Sequence, residues 1–133
     1  MAKARDKEAR RKILLVDDEA PLRMLMAATL DGSGYQLFEA TNGEEGLEVA
    51  LREKPDLILL DVAMPKMNGF EVCRRIKSDP TTKDTVVIML TAMSQQSDYN
   101  QGKETGADAY FTKPFSPIAL LNKIKEVLAS QQG

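Results

Sequence analysis

The sequence predicts an α/β protein, a doubly wound parallel sheet of five strands carrying five helices. Three observations lead there. Apolar runs alternate with helix-like stretches five times along the 133 residues. Four of those runs, 13–16, 57–60, 86–90 and 109–111, are short and continuously apolar, the pattern of strands buried on both faces by crossover helices. The same four stop at polar residues: Asp17-Asp18, Asp61, Thr91 and Thr112-Lys113. Parallel strands share one carboxyl edge, so these ends should converge where open α/β sheets place their sites. Repeated β-α units imply right-handed crossovers and helices on both faces.

Strand one is Ile13-Leu14-Leu15-Val16. Pro21 then falls in a first helical turn, where its missing N–H is tolerated. Leu22, Leu25, Met26, Thr29 and Leu30 recur at helical spacing as the core stripe until Gly32-Ser33-Gly34 stops the run. Residues 35–40 form strand two. Its polar Gln36 and Glu39, and its lack of a charged terminus, suit an edge strand away from the crevice. Thr41-Asn42-Gly43 turns into a helix marked by Leu47, Ala50 and Leu51, which ends before Pro55. Strand three is 56–61, and the loop 64–69 leads into a helix carrying Phe70, Cys73 and Ile76, closed by Asp79-Pro80. Strand four is 86–91. A fourth helix is expected over 95–106, with Tyr99 almost its only large apolar residue and Gly102 interrupting it. Strand five is 108–112, and Leu120, Leu121, Ile124, Val127 and Leu128 mark an amphipathic last helix over 117–129.

Composition excludes much. Hydrophobic residues make 43% and charged residues 29% of the chain, the balance of one ordinary globular domain. No apolar stretch approaches the roughly 18 residues of a membrane span, and no secretory h-region follows the basic N-terminus. A single cysteine, Cys73, allows no internal disulfide and fits a reducing cytosol; it reads as a packing residue. Histidine is absent, which removes His-based triads, common zinc sites and any phosphohistidine donor role. Residues 1–12 carry six basic and two acidic side chains, net +4, so residues 13–133 carry −6. That basic arm reads as a solvated extension, with nucleic-acid or membrane contact the alternative.

At the predicted crevice, Asp17, Asp18 and Asp61 should lie within a few ångströms of one another. Two unit charges 4 Å apart repel by about 4 kcal/mol at an effective dielectric near 20. A hard divalent cation relieves this, and oxygen ligands without His or thiolate favour Mg²⁺, or Mn²⁺. Capping of the following helix accounts for one of the aspartates before it. It does not account for Asp61 at the end of a buried strand. With a cation bound, Asp61 becomes a candidate nucleophile towards phosphorus, Lys113 a charge partner and Thr91 a hydrogen-bond donor for phosphoryl oxygens.

The motifs Leu15-Val16-Asp17-Asp18-Glu19, Leu60-Asp61-Val62-Ala63-Met64-Pro65-Lys66-Met67-Asn68-Gly69, Leu90-Thr91-Ala92 and Lys113-Pro114-Phe115, in this order, make residues 12–130 resemble a receiver domain of bacterial two-component response regulators. Residues 1–11 are then a basic extension and 131–133 a tail. The resemblance implies a flavodoxin-like three-layer sandwich of strand order 2-1-3-4-5. It implies that Asp61 accepts a phosphoryl group from a sensor histidine kinase or histidine phosphotransfer protein. Asp18 and Asp61 would ligate Mg²⁺ directly, Asp17 through water and Ala63 through its backbone carbonyl. Lys113 would pair with the phosphoryl group and be followed by a cis peptide to Pro114. Thr91 and Tyr110 would form a coupled switch. Ala63 and Met93, both apolar, imply a comparatively long-lived phosphoryl group.

A second apolar row on the first helix, Pro21, Met24 and Ala28, reads as part of a broad core face or, by the resemblance, as a kinase-docking surface. The face of the fourth helix, strand five and the last helix would contact a downstream effector, and a phosphorylation-dependent homodimer is a separate expectation. A cytoplasmic location follows, without membrane or direct nucleic-acid binding. A haloacid-dehalogenase-like phosphatase would want a second aspartate at position 63, where Ala63 stands. A flavin carrier would want a glycine- and hydroxyl-rich loop in place of Asp17-Asp18-Glu19. A phosphorylation-independent binding scaffold is the remaining alternative. No DNA-binding or enzymatic domain follows residue 130 in this sequence, so the expectation is either a stand-alone receiver that signals by protein contact or part of a longer regulator.

Overall fold

The fold is described from a computed structural model covering residues 11–62, 67–91, 106–113 and 115–132. Nine elements follow in order: β1 (Lys12–Val16), α1 (Ala20–Asp31), β2 (Gln36–Ala40), α2 (Gly43–Glu53), β3 (Leu57–Asp61), α3 (Gly69–Ser78), β4 (Val86–Thr91), β5 (Ala109–Thr112) and α4 (Pro117–Gln132). The five strands are all parallel, in the order β2-β1-β3-β4-β5, and β2 is an edge strand as its polarity foretold. Four helices lie among the described residues. The fifth, expected over 95–106, falls outside them except for Gly106, which is not helical but a turn residue with φ 92°. The expectations for residues 1–10, Ala63, Met93, Tyr99 and the Lys113–Pro114 bond also lie outside the described residues.

Side chains alternate across each strand, and the sheet buries both faces. Ile13, Leu15, Leu57, Leu59, Ile88 and Leu90 pack under α1 and α4 with Met26, Leu30, Leu120 and Ile124. Leu14, Val16, Ile58, Leu60, Val87 and Met89 pack under α2 and α3 with Val49, Ala50, Val72, Cys73 and Ile76. Fully burying one such aliphatic side chain contributes roughly 1.5–3 kcal/mol. Cys73 is a buried packing residue.

The helical faces differ in part from expectation. Leu25, assigned to the core stripe of α1, is 50% exposed, and Leu51 on α2 is 37% exposed. Pro21, Met24 and Ala28 are exposed too, so that row is not core. Helical spacing gives a stripe about 100° wide but not its centre; the sheet centres it on Met26 and Leu30 in α1 and on Val49 and Ala50 in α2. β2, β3 and β5 each begin one residue later than expected, and β1 one earlier. α4 runs to Gln132, past the end expected at 129, and takes two residues expected in the tail.

Local sequence sets the helix starts nearest the crevice. Asn42 and Asn68 each cap a helix by accepting the N–H three residues on, from Glu45 and Glu71, which satisfies one of four orphan donors. α1 is different: its N-cap, Glu19, makes no side-chain capping bond.

Candidate functional site

The parallel register carries the predicted residues to one edge. Val16 pairs with Ala40 on one side and Leu60 on the other, Asp61 pairs with Leu90, and Thr91 with Thr112. Backbone bonds continue the ladder just past the strands. Asp17 N donates to the Ala40 carbonyl at 3.1 Å, Val62 N to that of Leu90 at 3.0 Å, and Lys113 N to that of Thr91 at 2.7 Å. Asp17, Asp18, Asp61 and Lys113 are therefore set by pairing between strands distant in sequence.

A carboxylate oxygen from each of Asp17, Asp18 and Asp61 lies within 4.8 Å of the others. Asp17 and Asp61 are buried and Asp18 is exposed. Lys113 reaches in with its ammonium 2.9 Å from Asp17, 3.4 Å from Asp61 and 3.5 Å from Glu19. Burial pulls the Lys113 pKa down, but the hydrogen bond to Asp17 and the charges of Asp61, Asp17 and Glu19 outweigh it, and the net shift is upward. Both oxygens of Asp17 are engaged, Oδ1 by the Glu19 N–H at 2.8 Å and Oδ2 by Lys113. Asp18 meets no donor among the described residues. Among the described residues, one ammonium serves the three carboxylates. An oxygen-only donor set of this charge, open to solvent at Asp18, fits a hard divalent cation.

Gly69 holds the other wall. A Cβ there would clash with the carbonyl oxygen of Asp61 and stand 2.9 Å from Val62 Cα, while Gly69 N donates to the Val62 carbonyl at 2.9 Å. The start of α3 thus lies directly against the peptide that follows Asp61. Thr91 is buried at the end of β4, and Tyr110 on β5 is half-buried against the cluster under α2 and α3. Phe115 packs edge-to-face on Phe111 with centroids 5.6 Å apart, anchoring the chain after Lys113.

One contributor escaped sequence reasoning. Arg23 on α1 donates from Nη1 to the Asp17 carbonyl oxygen at 2.7 Å and pairs with Glu39 at 3.4 Å. Its sequence signal, a Glu19–Arg23 spacing of i,i+4, points to the wrong partner. Its charge also lowers the pKa of Glu45, secondary to the hydrogen bonds that Thr41 gives this carboxylate.

A family model for the response regulator receiver domain matches residues 13–125. The chain belongs to that family. The receiver is 48% identical over 116 residues to the phosphate regulon transcriptional regulatory protein PhoB of Pseudomonas aeruginosa, an alignment covering 87% of this chain and 51% of that protein. It therefore spans about half the length of the curated relatives it matches. Among solved structures it resembles the chemotaxis response regulator CheY4 of Vibrio cholerae, with TM-score 0.85 and 34% identity over 90% of this chain and 99% of that one. It also resembles the receiver domain of the sensor histidine kinase PA1611 of Pseudomonas aeruginosa, whose structure has a magnesium ion coordinated in the active site cleft. That match has TM-score 0.81 and 28% identity over 89% of this chain and 97% of that one. Response regulator receivers are signalling domains. No described helix is long and apolar enough to cross a membrane.

Proposed function

We propose that residues 12–130 act as a phosphoacceptor, taking a phosphoryl group onto Asp61 from a phosphohistidine of a sensor histidine kinase or phosphotransfer protein. One observation carries this reading: three carboxylates within 4.8 Å at the carboxyl edge of the sheet, with a lysine ammonium 2.9 Å from Asp17 and 3.4 Å from Asp61. Asp61 would attack phosphorus through a carboxylate oxygen. The new P–O bond forms as the P–N bond to the donor breaks, and the departing imidazole nitrogen keeps the electron pair. Lys113 would leave Asp17 to pair with phosphoryl oxygens, and Thr91 would donate its hydroxyl to another. Asp18 and Asp61, with Asp17 through water and the Ala63 carbonyl, would hold Mg²⁺, or Mn²⁺. Bound there, the cation neutralises charge that the phosphoryl group would otherwise meet.

Thr91 and Tyr110 would then shift together, a bistable pair biased by the phosphoryl group. The face that β5 and α4 would share with the helix expected over 95–106 would contact the downstream effector, and the phosphorylated form would pair with a second copy. The apolar row of α1 would meet the kinase. A cytoplasmic location, slow autodephosphorylation and a long-lived phosphoryl group complete the proposal. The half-life tests the lifetime directly, and a value of seconds at neutral pH would contradict it.

Mass spectrometry after incubation with a small phosphodonor and Mg²⁺ tests the acceptor role. A single added phosphoryl group that is lost in Asp61→Asn is the expected result. No adduct would indicate a binding scaffold, and sustained turnover of unrelated phosphate esters would indicate a phosphatase.

A further inference from the structure

The carbonyl that Arg23 grips belongs to the peptide joining Asp17 to Asp18. That peptide is planar, so a bond to its oxygen restrains the direction in which the chain enters Asp18. Asp18 needs such a restraint, because its carboxylate is exposed and meets no donor among the described residues. The α1 N-cap Glu19 adds no capping bond with its side chain; besides Arg23, the turn is held by the Glu19 N–H bond to Asp17 Oδ1 at 2.8 Å. The guanidinium is itself held. Nη1 lies 2.7 Å from the Asp17 oxygen, Nε lies 3.4 Å from Glu39 on β2, and the side chain is only 16% exposed. On the other side of Asp17 its N–H is fixed to Ala40. Glu39 and Ala40 lie in the same edge strand, so the link runs from β2 through Arg23 to the Asp17–Asp18 peptide.

Resting on the cation-site reading above, we infer that Arg23 is a positioning residue for the divalent cation: it fixes the Asp17–Asp18 peptide so that the Asp18 carboxylate is aimed at the cluster before the cation arrives. It acts through the aspartates and touches neither cation nor phosphoryl group.

Calorimetric titration of Mg²⁺ into the full chain tests this. Arg23→Met should weaken Mg²⁺ binding about tenfold, the lower end of the loss when a supporting partner of a metal ligand is removed. Arg23→Lys, which keeps a cationic donor, should recover part of the affinity. Lys77→Met is the control for general destabilisation. It removes the bridge from α3 to the Thr85 carbonyl and Asp108, and should lower the urea midpoint while leaving Mg²⁺ affinity unchanged. If Arg23→Met does not fold, Glu39→Gln replaces it; releasing only the far anchor, it should give a smaller but measurable loss. Wild-type affinity in Arg23→Met, or in Glu39→Gln where that variant stands in, overturns the inference. So does an equal loss in Lys77→Met. Failure of the wild type itself to bind Mg²⁺ would instead overturn the cation-site reading, and this inference with it.

Discussion

Lys113 balances the crevice, and its titration shows how. Its folded pKa is raised above 10.5 by Asp17, Asp61 and Glu19 despite burial. A raised cationic pKa contributes stability that is complete below the unfolded value and is lost as pH climbs through the folded one. The stability difference between wild type and Lys113→Met in urea unfolding should thus be equal at about pH 7 and about pH 9, and shrink only above pH 10.5. Asp18 is exposed and has no described donor, and its carboxylate oxygen lies within 4.8 Å of those of Asp17 and Asp61. Asp18→Asn should raise stability without Mg²⁺ by up to about 1 kcal/mol, the scale of exposed charge effects. It should also abolish the rise in melting temperature that Mg²⁺ gives the wild type by binding the folded state. These acidic residues were legible from the strand ends. Arg23 was not, because its partners, a backbone carbonyl and Glu39, become neighbours only after β2 pairs with β1.

At the scale of the element, short-range chemistry carries most of the information. Asn42 and Asn68 sit before their helices in sequence, and their caps form within three residues. Asn68→Ala should cost about 1 kcal/mol in urea unfolding. Gly69 makes a sharper case. Because any Cβ there would clash with the Asp61 carbonyl, Gly69→Ala should be destabilising and should also slow phosphoryl uptake at Asp61, measured with a small phosphodonor at saturating Mg²⁺. Unchanged uptake would show that the Asp61 peptide has room to yield. The faces of the helices were harder to read. Leu25 and Leu51 fit a helical stripe as well as their buried neighbours do, but a stripe has a centre that only the opposing sheet selects.

For the whole molecule, the sheet is both core and scaffold. Leu59 lies fully buried on β3 between β1 and β4. Leu59→Ala should cost about 2–5 kcal/mol in unfolding free energy, yet leave Mg²⁺ affinity near wild type once folded, because the side chain packs under α1 and α4 and not at the carboxyl edge. The alternation of buried strands with helices, the edge position of β2 and the chemistry at the strand ends were written in the sequence itself, since each depends on residue type and near-neighbour spacing. The residue-by-residue register of the strands, the lysine's preference for Asp17, and the clamp from Arg23 were decided by the folded chain. They arise from contacts between residues many positions apart, whose distances no local pattern encodes.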